Sequence, residues 1–288
     1  PAQTLSYSIV GGADAAKFTI NASTGALSFA TAPDYEVPTD VGGNNVYDVT
    51  VQVSDGTLSS TKAIAVTVTA VNDNTPVITS GTTASVAENT TAVMTVTATD
   101  ADLPAQTLTY SIVGGVDAAK FSINSSTGAL SFATAPDYEA PTDVGSNNVY
   151  DVTVQASDGT LSSTKAIAVT VTAVNDNTPV ITSGATANVA ENTTAVMTVT
   201  ATDADLPAQT LTYSIVGGAD AAKFAINAST GALSFATAPD YDAPTDSGAN
   251  NVYDVTVQAS DGTLSSTKAI AVTVTAVNDN TPVITSSA

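Results

Sequence analysis

Most of the acidic residues of this chain fall in five short motifs that return at a fixed spacing. In the middle of the sequence they read AEN (Ala87–Asn89), DAD (Asp100–Asp102), PDYE (Pro136–Glu139), SDG (Ser157–Gly159) and NDN (Asn175–Asn177). Asp and Glu number 27 against 6 lysines, with no arginine, histidine or cysteine, so the net charge is −21. Chemistry built on imidazole or thiolate is therefore absent, and oxygen is the ligand atom these motifs can offer. Carboxylates gathered at one place repel: two unit charges ~4 Å apart cost roughly 4 kcal/mol at an effective dielectric of 20. A cation reverses that sign. Carboxylates mixed with Asn amides and backbone carbonyls favour Ca²⁺, which accepts ~6–8 oxygens in flexible geometry, over Mg²⁺, which keeps its waters. Taken singly, DAD or SDG is an ordinary turn, because Asp and Gly favour turns and Asp bonds its own backbone.

What could bring the motifs together is a repeat. PAQTL begins at Pro1, Pro104 and Pro207, a period of 103 residues. That is far longer than the ~20–50 residues of solenoid repeats, whose units cannot bury a core alone, so each unit can fold as a domain. The decapeptide AVNDNTPVIT, at Ala70–Thr79, Ala173–Thr182 and Ala276–Thr285, reads as the hinge between units. The expected division is 1–76, a unit lacking its first strands; 77–179 and 180–282, complete units; and 283–288, the start of another. The chain reads as a window on a longer array.

Within a unit the apolar residues alternate. Met94, Val96 and Ala98 are separated by Thr95 and Thr97; Tyr150, Val152, Val154 and Ala156 by Asp151, Thr153 and Gln155; Ile167, Val169 and Val171 by Ala168 and Thr170. Period-two blocks broken by Gly, Pro, Asn and Asp predict antiparallel strands with one wet face. FSINSSTGALSF (Phe121–Phe132) predicts a hairpin with Gly128 at its turn, and VDAAKF (Val116–Phe121) one helical turn. About seven strands per unit, rich in Val, Thr and Ile, predict an all-β chain of tandem immunoglobulin-like Greek-key sandwiches. Strand ends gather at the poles of a sandwich, so acids distant in sequence can meet there. Tyr47, Tyr150 and Tyr253, each opening a strand, are expected to bury a corner hydroxyl.

In this order along a β-rich unit of about a hundred residues, AEN, DAD, PDYE, SDG and VNDNTP resemble the cadherin repeat. The expanded PDYEAPTDVGSNNVYDVTV (Pro136–Val154) resembles the cadherin-like repeats of giant bacterial surface proteins more than those of animal cadherins. The resemblance covers units two and three and what is present of unit one. It implies a cadherin-type sandwich and a Ca²⁺ site split across each junction. For the second junction it implies Glu88, Asp137 and Glu139 from unit two, Asn175, Asp176 and Asn177 from the linker, and Asp203, Asp205 and Asp261 from unit three. For the first it implies Asp34, Glu36, Asn72, Asp73, Asn74, Asp100, Asp102 and Asp158, with the upstream Glu missing and the site correspondingly weaker. Two departures stand out. Ala70, Ala173 and Ala276 occupy the place of the family's first linker Asp, which leaves the number of ions per junction open. LPAQTL (Leu103–Leu108) replaces the family's Asn-containing stretch after Asp-x-Asp.

These features set the functional expectations. Strong negative charge disfavours nucleic acid and anionic membranes as partners. No apolar run reaches the ~20 residues of a membrane span, and Pro1 does not open on a signal-like segment. Extracellular modules bind Ca²⁺ at roughly 10⁻⁴–10⁻³ M, which places the chain outside the cell, at its surface. An ion shared between neighbours stiffens their linker, so the leading expectation is a calcium-rigidified spacer of a large bacterial surface adhesin. The alternative is a self-associating repeat of an extracellular filament, sheath or biofilm matrix. The expected partners are calcium ions, adjacent repeats and other copies of the chain. Carbohydrate recognition is disfavoured by the absence of Trp and by Tyr and Phe at inward positions. An enzyme is disfavoured because the acids match a metal set that recurs at every junction. Adhesion by strand exchange, as in animal cadherins, needs a first-strand Trp that this chain lacks. The Asn-x-Ser/Thr sequons at Asn21, Asn89, Asn124, Asn192 and Asn227 arise readily by chance in Ser- and Thr-rich sequence.

Overall fold

A computed structural model describes residues 3–285. Pro1, Ala2 and the 286–288 end of the expected further unit lie outside the described residues. In the middle unit one sheet runs in the order Thr109–Gly114, Val149–Ser157, Ser162–Thr172, Thr83–Ala87, antiparallel except for its last, parallel pairing. A second sheet joins Phe121–Ile123, Ala129–Phe132 and Ala92–Thr95, and Val77–Ile78 pairs with Ala98–Thr99.

These nine segments are the expected seven strands with two of them broken. One stretch changes partners between Ile78 and Thr83: its first part pairs with Ala98–Thr99 and its second with Ser162–Thr172. The other breaks at Val96, whose N–H donates to the Gly128 carbonyl in the hairpin turn instead of to a ladder partner. Period-two patterning cannot show such a change of sheet, because the alternation of faces runs on through it.

Alternation does fix the register. Tyr150 lies opposite Val169 and Val152 opposite Ile167, all inward, and they pack with Val96, Phe121, Leu130 and Phe132 from the other sheet. Each fully buried Val, Leu or Phe contributes ~1.5–3 kcal/mol. Phe121 stacks on Phe132 at 4.6 Å, and the Tyr150 ring meets Phe132 edge-on at 5.1 Å. The third unit repeats this core. In the first unit the fully buried set shrinks to Phe18, Tyr47 and Val49, because the counterparts of Thr83–Ala87 and Ala92–Thr95 are not in the sequence. VDAAKF forms the expected single turn, a 3₁₀ helix at Ala118–Lys120.

Tyr150 is 1% exposed, and its hydroxyl accepts the Thr142 N–H at 3.1 Å. Tyr47 and Tyr253 do the same with Thr39 and Thr245, so the expected corner hydroxyl is present in all three units. Tyr150→Phe leaves that N–H unpaired, and we expect urea denaturation to show unit two destabilised by about 1–2 kcal/mol.

Sequence reasoning passed over two buried acids per unit. The Asp117 carboxylate accepts the N–H groups of Val144 and Asp151 at 2.8 and 2.9 Å. That of Asp143 accepts those of Gly145, Asn147 and Asn148 at 2.9–3.1 Å. Together they pin the inserted loop before the Val149–Ser157 strand, so these acids are structural. The first-unit counterpart of Asp143 is Asp40. The Asn44 N–H, first among its donors, holds the Asp40 carboxyl below its ordinary value against the opposing effect of burial. In the third unit burial pushes Asp246 up, but the N–H groups of Asn250 and Asn251 outweigh it. A folded-state pKa below the unfolded one gives stability that is present above the ordinary carboxylate pKa of about 4 and lost as pH falls through the lowered value. Thermal melts in chelator are therefore expected to lose stability as pH drops below about 4, and Asp40→Asn to flatten that slope for the first unit.

Candidate metal centre

Every acidic motif lies at or just beyond a strand end. Glu88 follows Thr83–Ala87, Asp100 follows Ala98–Thr99, Asp158 follows Val149–Ser157, and the linker follows Ser162–Thr172. The PDYE turn is reached from Ala129–Phe132 through Ala133–Pro136. The sheets thus deliver Glu88 and PDYE to the downstream pole of one unit, and DAD and SDG to the upstream pole of the next.

At the first junction Glu36, Asp73 and Asp102 each offer a carboxylate oxygen within 4.8 Å of the others. They come from unit one, the linker and unit two. Asp100, Asp102 and Asp158 form a second such trio, so Asp102 belongs to both. It is 1% exposed. Its Oδ1 accepts the Asn74 Nδ2 and N–H at 2.8 and 3.2 Å, and the Asn74 amide, first among several influences, holds its pKa below the ordinary value. Glu36 Oε1 accepts the Leu103 N–H across the junction at 3.1 Å.

The second junction holds two separate trios, Glu88 with Glu139 and Asp176, and Asp203 with Asp205 and Asp261. Glu88, 2% exposed, clamps the pole by accepting the N–H groups of Tyr138 and Val174, both at 2.7 Å. Glu139 Oε1 accepts the Leu206 N–H of unit three at 2.9 Å. Burial first, then the charges of Glu88 and Asp205, raise the Glu139 carboxyl above its ordinary value against the pull of Leu206. Asp205 and Asp261 are pushed up by burial, yet end below the ordinary value because neighbouring N–H groups and side-chain amides outweigh it. The acids of adjacent units are thus close enough to repel.

Asp34 and Asp137 are not brought into these trios. Their Oδ1 atoms accept the N–H groups of Glu36 and Val37, and of Glu139 and Ala140, at 2.9–3.1 Å, which shapes the turn that presents each Glu. Asn177 sits against Asp176 and Asp205, and Asn72 and Asn175 each bond a glutamine. Two kinds of residue escaped sequence reasoning. Asn89, next to Glu88, donates to Asp176, and Gln106 and Gln209 reach back to Asn72 and Asn175 across 34 residues.

The donor set suits a hard divalent cation. In Asp100, Asp158 and Asp203 one carboxylate oxygen is held by backbone N–H groups, while Oδ2 is buried with no partner. Glu139 Oε2 and Asn72 Oδ1 are buried and unpartnered as well. Such oxygens are costly when left bare, and all-oxygen sets of this kind are what Ca²⁺ takes.

A family model described as the cadherin domain matches residues 82–172 and 185–275, more than half of the chain. The chain belongs to the cadherin-domain family. Its cadherin repeats are 34% identical to human Protocadherin Fat 1 over 96% of the chain, and 33% identical to mouse Cadherin EGF LAG seven-pass G-type receptor 2 over 98%. The chain spans only 6% and 10% of those two proteins. The crystal structure of mouse Cadherin-23 EC22-24 superposes with a TM-score of 0.65 at 25% identity, over 95% of this chain and 87% of that one. Mouse Protocadherin-24 EC1-3 shares the fold with a TM-score of 0.65 at 23% identity, over 96% and 92%. Cadherin domains are non-enzymatic adhesion modules. Among the described residues no helix is long and apolar enough to cross a membrane.

Proposed function

We propose that the chain is a calcium-stiffened extracellular spacer from the repeat region of a large bacterial surface adhesin, with units divided at 76/77, 179/180 and 282/283. One observation carries the reading: Glu36 of unit one, Asp73 of the linker and Asp102 of unit two converge on one point. An ion there is held by both neighbours at once. Glu36, Asn72, Asp73, Asn74, Asp100, Asp102 and Asp158 would hold it at the first junction. At the second, Glu88, Glu139, Asn175, Asp176, Asn177, Asp203, Asp205 and Asp261 would do so, with Asp34 and Asp137 completing the sets from the rim. The bound ion supplies charge neutralisation and a shared anchor. Removing it leaves acids that repel across a short polar linker.

Membership of the cadherin family and the extracellular relatives support the location. Near-identity of the units supports a role in which each added copy extends reach. The relatives named above are animal proteins, and the bacterial assignment rests on the expanded Pro136–Val154 stretch and the uniform repeats. Titration by calorimetry tests the calcium reading: saturable uptake with affinities near 10⁻⁴–10⁻³ M is expected, and no uptake by about 10 mM would sink it.

A second reading, lateral association into a matrix, has one specific support. The similar Protocadherin gammaB7 EC3-6 structure, 25% identical with a TM-score of 0.63, is a cis-dimer. Sedimentation velocity in calcium separates the two: a single monomer species fits the spacer, and concentration-dependent growth fits the matrix.

A further inference from the structure

At each junction a glutamine stands four residues after the second Asp of DAD and touches a linker asparagine. In one orientation of the Asn175 amide, Nδ2 donates to Gln209 Oε1 at 2.8 Å. That turns Oδ1 toward Asp205 and Asp261, groups that only accept hydrogen bonds. Turned over, the same amide donates from Nδ2 to Asp261 Oδ2 and Asp205 Oδ2, both at 3.3 Å, and Oδ1 then faces the Gln209 amide, 3.0 Å from Nε2 and 2.8 Å from Oε1, so Gln209 must turn its own amide to donate to it. The two orientations exchange an oxygen and a nitrogen at nearly the same positions.

What faces the acids decides between them. With nothing between Asn175 and the carboxylates, oxygen against oxygen is unfavourable, so the turned-over amide wins. With a cation among them, Oδ1 becomes another oxygen ligand and Nδ2 must find an acceptor elsewhere. Gln209 meets both demands, because its own amide carries an acceptor and two donors. Glutamate could only accept, and leucine could do neither. The first junction is built alike: Asn72 Nδ2 donates to Gln106 Oε1 at 2.9 Å, Asn72 Oδ1 is buried and unpartnered, and Gln106 Nε2 lies 3.5 Å from Asp102 Oδ2.

We propose that Gln106 and Gln209 are positioning residues that turn Asn72 and Asn175 to face the ion when it binds and accommodate the reverse orientation when it leaves, thereby setting each junction's calcium affinity. The inference rests on the calcium reading above. It gives a role to LPAQTL, the stretch that departs from the family pattern.

The test is a calorimetric calcium titration of the full chain carrying Gln106→Leu and Gln209→Leu, alongside melts in chelator and a second chain carrying Gln106→Glu and Gln209→Glu. Loss of an outer hydrogen-bond partner of a ligand typically costs about 10–100-fold in metal affinity. The leucine chain is expected to bind about tenfold more weakly while keeping a cooperative melt in chelator, lowered only by the lost amide contact, and the glutamate chain, which keeps the acceptor for Nδ2, to bind at least as tightly as the parent. Equal affinity of the leucine chain and the parent would overturn the inference while leaving the calcium reading intact. If the leucine chain melts early in chelator, the glutamate chain decides: retained affinity supports the positioning role, and a tenfold loss overturns it. A parent that takes up no calcium would end both.

Discussion

Asp102→Ala is expected to weaken calcium uptake at the first junction by about 100-fold or more, while the second junction titrates as before. Asp102 is the one residue shared by both carboxylate trios of that junction, so its loss damages two ligand groups at once. No acid at the second junction is shared in this way. Asp205→Ala leaves the Glu88, Glu139 and Asp176 trio complete, and a smaller loss is expected there. Asp102 also ties down the linker, since its Oδ1 accepts from both the side chain and the backbone of Asn74. The alanine variant therefore loses a buried acceptor as well as a ligand, at a cost of about 1–3 kcal/mol in chelator. Asp102→Asn separates the two effects: it keeps an oxygen for Asn74 and removes the charge. We expect the asparagine variant to lose calcium affinity while melting in chelator like the parent. Calorimetry that showed the first junction unaffected by either change would remove Asp102 from the site.

The second large effect concerns the fold. Gly128 has φ +70, and a Cβ built on it would overlap the Val96 carbonyl oxygen, which is backbone and cannot swing aside. This is the point where the broken strand bonds into the hairpin turn, since the Val96 N–H donates to the Gly128 carbonyl at 2.8 Å. Gly128→Ala thus adds left-handed strain to a backbone collision, and we expect unit two to lose about 3 kcal/mol or more. Gly231→Ala in unit three meets Val199 in the same way and should cost as much. Gly25 is the built-in control. Its φ is +73, but a Cβ there meets the Tyr7 ring at 3.0 Å, a side chain that can yield, because the counterpart of Val96 is not in the chain. Gly25→Ala should cost about 1 kcal/mol. Denaturant midpoints that fell equally for Gly25→Ala and Gly128→Ala would show that φ alone, and not the close approach, governs these turns.

How legible this was in the sequence depends on the residues. The alternation at Tyr150–Ala156 and Ile167–Val171 shows which faces turn inward, because a side-chain period of two admits one buried face. The changes of sheet at Thr79–Thr82 and Val96–Thr97 leave no mark on that alternation. Asp100, Asp102, Asp158 and Glu36 could be picked out because motif order and a 103-residue period repeat them together. Asp137 shares the motif with Glu139, yet its Oδ1 is spent on two backbone N–H groups, a division of labour that residue type does not reveal. Asp117 and Asp143 looked like any loop acids, and only the fold shows that they bond an insertion from inside. Gln106 and Gln209 had the weakest signal of all. An amide in an uncharged loop says nothing until the chain folds it back onto the linker 34 residues earlier.

The proposed effect of the ions is mechanical: held jointly by neighbouring units, they fix the angle between them. Small-angle X-ray scattering of the intact chain, in calcium at several millimolar and again in excess chelator, addresses it most directly. One extended, narrow distribution of interatomic distances is expected in calcium. In chelator it should shift to a shorter, broader one, with circular dichroism unchanged because each sandwich stays folded. Superimposable scattering curves in the two conditions would contradict it.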